Sequence, residues 1–149
     1  IKASTVMDCA ELIDSIGERK WKGQARGTFH RQYTLDQMKY MRKSGLTSVM
    51  FGVESGSQRM LDIMIKKVKR EDYIKSAQVL GDLGIEMYAS FMFAMPRETV
   101  EDLRQSIKLM HEIKKVIKIN SVSIDSKFYG EFDSDNQIID LYRKIIIFD

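Results

Sequence analysis

Short apolar runs alternate with longer helix-like segments along most of this chain, and this alternation restricts the fold more than any other sequence feature. The strand-like runs lie at 21–26, 48–54, 85–95 and 119–124. Apolar residues recur at steps of three or four, the spacing of a helix face, in 5–20, 34–45, 71–84 and 99–117. A further helix is predicted to start directly after Ser55, because Ser55 and Gln58 have the spacing of a capping box.

This order of elements is typical of parallel sheets built from repeated strand–helix units. We predict an α/β fold, a partial TIM-type (β/α) barrel with about four parallel strands and four to five helices. A whole eightfold barrel needs about 250 residues, and this chain has 149. A doubly wound sheet is the alternative arrangement. The runs look apolar on both faces, as expected when helices cover both faces of the sheet or when one face lines a barrel interior.

Composition narrows the class of protein. Hydrophobic residues make up 44% and charged residues 30% of the chain, as in ordinary globular domains. No apolar stretch is long enough to span a membrane, and the lone Cys9 suggests a reducing, cytoplasmic setting. The basic run 65–72 more often marks a solvated face than a nucleic-acid site. The chain starts with Ile1, so we expect it to be an internal part of a longer protein.

The stretch FGVESGS, residues 51–57, places a carboxylate at the end of a buried-type strand. Ligands of parallel α/β folds bind at the carboxyl ends of the strands, where helix N-terminal amides also lie. Glu54 and Ser55 are therefore candidates for a binding site. From the residues alone, the alternative is that both merely cap the following helix.

Three segments resemble the radical S-adenosylmethionine (SAM) enzymes. FGVESGSQRMLDIMIKKVKRED is similar to the end of their fourth barrel strand, and ASFMFAMPRETVEDLRQSI resembles their fifth strand and its GLPGET turn. The region WKGQARGTFHRQYTLDQMKYMRKSGLTSVMFG resembles the third strand and helix. The likeness is greatest to the cobalamin-binding branch, which includes the anaerobic magnesium-protoporphyrin monomethyl ester cyclases. It implies that residues 1–125 form the C-terminal part of a radical SAM barrel, followed by a helical extension at 126–149.

The resemblance implies SAM and a [4Fe–4S] cluster as cofactors, and cobalamin in that branch. The chemistry implied is reductive cleavage of SAM, followed by radical or methyl-transfer chemistry on a small-molecule substrate. Glu54 would accept hydrogen bonds from the SAM ribose or ammonium, with Ser55 nearby, and Lys66 would meet the SAM carboxylate. The resemblance places the remaining contacts with SAM or substrate at the side chains of Gln24 and Arg26 and at the backbone around Phe93 and Met95.

The chain departs from the family pattern at several points. The CxxxCxxC loop that holds the cluster is absent, and the glycines of GLPGET are replaced by Ala94 and Arg97. We expect the cluster ligands and any cobalamin domain to lie outside this chain, and the fragment alone to be inactive. The rest of the parent chain would be its partner, and an unpaired barrel edge predicts self-association. A tRNA or protein methylthiotransferase and a non-catalytic α/β binding module are the alternative functions.

Overall fold

The computed structural model describes residues 2–17 and 19–117, together with the backbone of 122–128. The elements, in chain order, are α1 (Ala3–Ser15), β1 (Trp21–Ala25), α2 (Phe29–Gln32), α3 (Leu35–Lys43), β2 (Leu46–Glu54), α4 (Gln58–Ile63), α5 (Arg70–Asp82), β3 (Glu86–Phe93), α6 (Val100–Val116) and β4 (Val122–Phe128). The four predicted strands and the five predicted helices are all present, and α2 was not predicted. The proposed extension, apart from 126–128 in β4, lies outside the described residues.

The four strands form one parallel sheet in the sequential order β1-β2-β3-β4. Helices connect each strand to the next, as parallel neighbours require. A doubly wound sheet reverses its strand order at a switch point, and no reversal occurs among these four strands. The sheet is therefore an arc of a (β/α) barrel, as predicted from the sequence.

Helices bury only one face of this sheet, which agrees with the alternative in which the other face lines a barrel interior. Met87, Ala89, Phe91 and Phe93 on β3 are buried, whereas the residues between them are half-buried. On β2 the buried face carries Val49, Phe51 and Val53, which join the same core. The other face, called the open face below, includes Met50 with 44% of its surface exposed.

Two helices begin where the capping-box spacing predicts. Thr34 Oγ1 accepts a hydrogen bond from Gln37 N, and the Gln37 side chain accepts one from Thr34 N. Thr99 and Asp102 make the same reciprocal pair at the start of α6. These side chains satisfy amides that have no partner within the helix. The helix that precedes β2 and the helix that follows β3 are thus both firmly capped.

Candidate functional site at the carboxyl edge of the sheet

Glu54 ends β2 with an uncommon backbone geometry. The register shifts between Gly52, which pairs with Ser90, and Glu54, which pairs with Phe91. Glu54 has a φ of 66°, in the left-handed region that side chains other than glycine rarely adopt. Its carboxylate folds back over Gly52, because a Cβ built on Gly52 would lie 2.5 Å from Glu54 Oε1. A larger residue at position 52 would therefore displace the Glu54 carboxylate from this place on the open face.

Lys66 completes an ion pair with Glu54, as its Nζ donates a hydrogen bond to Glu54 Oε1 at 3.1 Å. Both side chains are mostly buried, with 30% and 19% of their surfaces exposed. The flanking residues Ile65 and Lys67 are left-handed, with φ values of 54° and 52°. Such non-glycine backbone geometry costs about 1–3 kcal/mol per residue and concentrates at functional sites.

The ion pair lies beside a cleft of about 460 Å³. Its wall includes Arg26 from the end of β1, Gly52, Lys66, Lys67 and Tyr73. The Tyr73 hydroxyl donates to Gly52 O at 3.2 Å. Burial, and to a smaller extent the charge of Glu54, raises the pKa of the Tyr73 phenol far above its usual range, so the hydroxyl stays protonated. The structure thus brings three predicted residues together: Glu54, Lys66 and Arg26.

The three residues after Glu54 turn away from this cleft. Ser55 Oγ lies 3.2 Å from Ser106 Oγ and accepts a hydrogen bond from Ser57 N at 3.1 Å. Gly56 N donates to Ser106 Oγ at 2.9 Å. A Cβ on Gly56 would contact Gln105 O and lie 2.5 Å from Ser106 Cα, so glycine allows α6 to approach. We call Ser55–Ser57, with Asp102 and Ser106, the junction.

The predicted helix start at Ser55 was wrong by two residues. Ser57 is the N-cap of α4, and its hydroxyl accepts from Met60 N. Ser55 is almost fully buried, with 1% of its surface exposed, and its hydroxyl is engaged within the junction. The structure therefore does not bring Ser55 to the cleft beside Glu54.

Asp102 is the centre of the junction. It accepts hydrogen bonds from Ser57 Oγ at 2.5 Å, from Thr99 N at 2.8 Å and from the Arg59 guanidinium. Burial alone would raise the pKa of Asp102, but the hydrogen bonds from Arg59, Ser57 and Thr99 hold it well below its usual range. The carboxylate is thus charged at neutral pH and joins α4 to α6.

The turn after β3 has left-handed backbone angles, which favour glycine, at two positions occupied by other residues. Ala94 and Arg97, at the places where the resembled motif has Gly, have φ values of 55° and 72°. Met95 N donates to Glu98 Oε2 at 3.2 Å, and Glu98 N donates to Met95 O at 2.9 Å. Phe93 itself is buried and stacks with Phe91, their ring centroids 6.3 Å apart. The turn is therefore held from within by Glu98.

Glu98 also has an uncommitted acceptor. Its Oε1 is buried and has no hydrogen-bond partner among the residues that the structure describes. Burial raises the pKa of Glu98, while the hydrogen bonds from the backbone of Met95 and Ala94 work against this shift. An unpaired buried carboxylate oxygen is uncommon, and it is available to a ligand that donates a hydrogen bond.

Gln24 is an exposed residue of β1, and its Nε2 is 3.6 Å from Met50 Sδ on β2. It thus lies on the strand next to β2, but it is not part of the cleft wall.

Sequence reasoning missed three residues of the cleft wall, Gly52, Lys67 and Tyr73. Gly52 could have been found, since residues two apart on a strand share a face and Gly52 precedes Glu54 by two. Lys67 and Tyr73 gave no such signal.

The described residues do not fit an iron–sulfur cluster. Such clusters need several cysteine ligands, and the chain has a single cysteine, Cys9, which is exposed on α1. Across 2–17 and 19–117, no three His, Cys, Asp or Glu side chains are grouped as metal ligands. In the same part of the chain, no helix combines the length and the apolar surface needed to cross a membrane.

Comparison with known proteins agrees with this geometry. Residues 4–110 match the Radical SAM superfamily, and the chain belongs to that family. It is 34% identical over 71 residues to the anaerobic magnesium-protoporphyrin IX monomethyl ester cyclase of Rubrivivax gelatinosus, an alignment covering 48% of this chain and 13% of the cyclase.

Two solved structures share the fold. Coproporphyrinogen III oxidase (HemN) from Escherichia coli, a radical SAM enzyme, has a TM-score of 0.70 at 14% identity, over 99% of this chain and 37% of HemN. The cobalamin-dependent SAM radical enzyme OxsB, with aqua-cobalamin and SAM bound, has a TM-score of 0.59 at 19% identity, over 95% and 19%. The chain spans a fifth or less of the curated relatives it matches.

Proposed function

We propose that the carboxyl edge of this sheet binds SAM, with Glu54 and Lys66 as its main polar contacts. The observation that carries the proposal is the Glu54–Lys66 pair, 3.1 Å apart and held beside the cleft by three left-handed residues. Membership in the Radical SAM superfamily suggests SAM as the ligand. Glu54 and Lys66 match SAM in charge and in hydrogen-bonding capacity.

The amino-acid part of SAM has one ammonium and one carboxylate. Glu54 and Lys66 offer the opposite charge for each, side by side, so both ends of a zwitterion can be bound at once. The Glu54 carboxylate can also accept from ribose hydroxyls. When SAM binds, its ammonium would face Glu54 and its carboxylate would face Lys66. Each protein charge would therefore keep an opposite charge nearby even if the Glu54–Lys66 pair were weakened.

The turn after β3 is the proposed second part of this site. The left-handed Ala94 exposes backbone groups at the end of the strand, as the glycine of the resembled motif would. The adenine of SAM would lie against the backbone between Phe93 and Met95. Glu98 would support this turn through Met95 N, and its unpaired Oε1 could accept a hydrogen bond from the ligand.

For the whole protein we propose an enzyme that uses SAM for radical or methyl-transfer chemistry on a small-molecule substrate. When bound, SAM supplies a sulfonium that can be cleaved reductively. This chain's contribution would be to orient SAM, and no described residue is assigned to the cluster or to cobalamin. The family and the similarity to a cyclase and to OxsB support this proposal.

Calorimetric titration of SAM into the full-length protein tests the proposed site. Glu54→Gln and Lys66→Met should each weaken SAM binding by about tenfold or more, as expected for losing a charge-assisted hydrogen bond. Lys108→Met, on the exposed side of α6, is the matched control and should bind SAM like the wild type. If both site variants keep the wild-type affinity while remaining folded, SAM does not bind at this pair.

A further inference from the structure

Arg26 and Lys67 lie in the wall of the cleft, and neither side chain forms an ion pair with a carboxylate of the described residues. We propose that they form an anion subsite, for a carboxylate or phosphate group of the molecule on which the enzyme acts. The inference rests on the proposed SAM site, because it concerns the charge that remains once SAM is bound there.

The cleft wall has an excess of positive charge. It contains three cationic side chains, Arg26, Lys66 and Lys67, and no carboxylate. The adjacent Glu54 is already paired with Lys66. Tyr73 adds no negative charge, since its phenol stays protonated. Two cations therefore remain without a counter-charge beside a cleft at the ligand-binding edge of the sheet.

Neither remaining cation has another visible role. Among residues 2–17 and 19–117, no hydrogen bond or ion pair involves the side chain of Arg26 or Lys67. This contrasts with Arg31, Arg59 and Arg70, which all pair with carboxylates. Lys67 is also placed by a left-handed backbone, so its presence beside the cleft costs conformational energy.

The geometry of the cleft favours a second molecule as the source of the anion. SAM has one carboxylate and one ammonium, and Lys66 with Glu54 already matches both. Gly27 and Gly52 let the Tyr73 ring and the Glu54 carboxylate approach the backbone near Arg26. A Cβ on Gly27 would lie 2.6 Å from Tyr73 Cε1, and one on Gly52 would lie 2.5 Å from Glu54 Oε1.

The test uses inorganic pyrophosphate as the anion probe, titrated into the full-length protein saturated with SAM. In the double variant Arg26→Gln/Lys67→Gln, pyrophosphate affinity should fall about tenfold or more, as for the loss of charge-assisted contacts. The control, Lys75→Gln/Lys108→Gln, removes the same charge from exposed positions on α5 and α6 and should leave pyrophosphate affinity within about twofold, since exposed charges away from the cleft are screened by salt. Equal affinity in the wild type and the cleft variant would overturn the proposal, as would equal losses in the two double variants.

Two further titrations identify the source of the anion and separate this inference from the proposed SAM site. If the cleft variant binds SAM more weakly but binds decarboxylated SAM like the wild type, the anion is the carboxylate of SAM and the proposal for a second molecule is wrong. Unchanged SAM affinity in the cleft variant supports it. If the wild type binds no SAM yet shows the charge-dependent pyrophosphate binding, the SAM site fails while the anion subsite stands.

Discussion

Glu54 and the three residues that follow it are neighbours in sequence but belong to different parts of the molecule. Glu54 lies beside the cleft and pairs with a loop lysine 12 residues later. Ser55–Ser57 contact α6, about 50 residues later, through Ser106 and Asp102. The left-handed backbone of Glu54 separates the two directions. The comparison teaches that one short motif can carry a proposed ligand contact and a structural junction side by side, and that each half is testable by itself.

The largest effect is expected at the centre of the junction. Asp102→Ala removes the acceptor for Arg59, Ser57 and Thr99 and leaves buried donors unpaired. The free energy of unfolding should fall by roughly 2–4 kcal/mol, because the hydroxyl of Ser57 and the amide of Thr99 lose their acceptor at about 1–3 kcal/mol per buried group, whereas Arg59, 47% exposed, stays partly solvated. A urea melt measures this loss. Glu101→Ala, at the exposed preceding residue, should change stability by less than about 0.5 kcal/mol.

The pH dependence of the same residue provides a second measurement. The pKa of Asp102 is depressed in the folded state, so its contribution to stability is present above the pKa of the unfolded chain, about 3.9. That contribution is lost as the pH falls below this value. Asp102→Asn should therefore lose less stability than the wild type between about pH 4 and pH 2. If the free energy of unfolding depends on pH with the same slope in both proteins, the assigned role of Asp102 is wrong.

The second prediction concerns the contact between the junction and α6. Gly56→Ala adds a Cβ that would lie 2.5 Å from Ser106 Cα, and the atoms it meets are backbone atoms that cannot rotate away. We expect a loss of roughly 1–3 kcal/mol in the free energy of unfolding, as for overpacked sites. Gly23→Ala is the control, because its new Cβ would meet its neighbours at 3.9 Å. Equal free energies of unfolding for the two variants in a urea melt would show that α6 does not pack this closely against Gly56.

These two regions also show what the sequence could predict. The alternation of strands and helices and the capping pairs Thr34–Gln37 and Thr99–Asp102 depend on local spacing, and the structure confirms them. Ser55 and Ser57 both look like caps, and only the distant Ser106 and Asp102 decide their roles. The open face had a weak signal in β3, where Tyr88 and Ser90 alternate with buried residues. Its apolar Met92 concealed that pattern.

The positions of the cleft cations could not be derived from pattern at all. Lys66 became a candidate through family resemblance, since a run of lysines reads equally well as a solvated face. Its pairing with Glu54 depends on left-handed geometry at Ile65 and Lys67, which neither residue type suggests. The roles of Gln24, Arg26, Phe93 and Met95 toward SAM stay predictions.

The third prediction compares Glu54 with its neighbour Val53 by two measurements, SAM affinity and the free energy of unfolding. Glu54→Gln should weaken SAM binding by roughly 1–3 kcal/mol, because it removes the charge that faces the ligand. Its stability should change less, since the residue ends a strand outside the core. Val53→Ala should show the reverse, because Val53 is fully buried, with a stability loss of roughly 1–3 kcal/mol. If Glu54→Gln binds SAM normally but melts early, Glu54 belongs with the junction.

The smallest expected effect is at the turn after β3, where Ala94→Gly restores the residue of the resembled motif. Alanine with a φ of 55° carries a steric cost of about 1 kcal/mol, which glycine does not have. Glycine also makes the unfolded chain more flexible, which offsets about 0.4–1 kcal/mol of that gain. The net change in the free energy of unfolding should therefore lie between zero and about 1 kcal/mol of stabilisation. Ala25→Gly, at the end of strand β1, has no such strain to release and should destabilise by about 0.5–1 kcal/mol. If both variants lose stability equally in a urea melt, Ala94 is not left-handed in solution, and the turn lacks the backbone geometry on which its proposed contact with adenine depends.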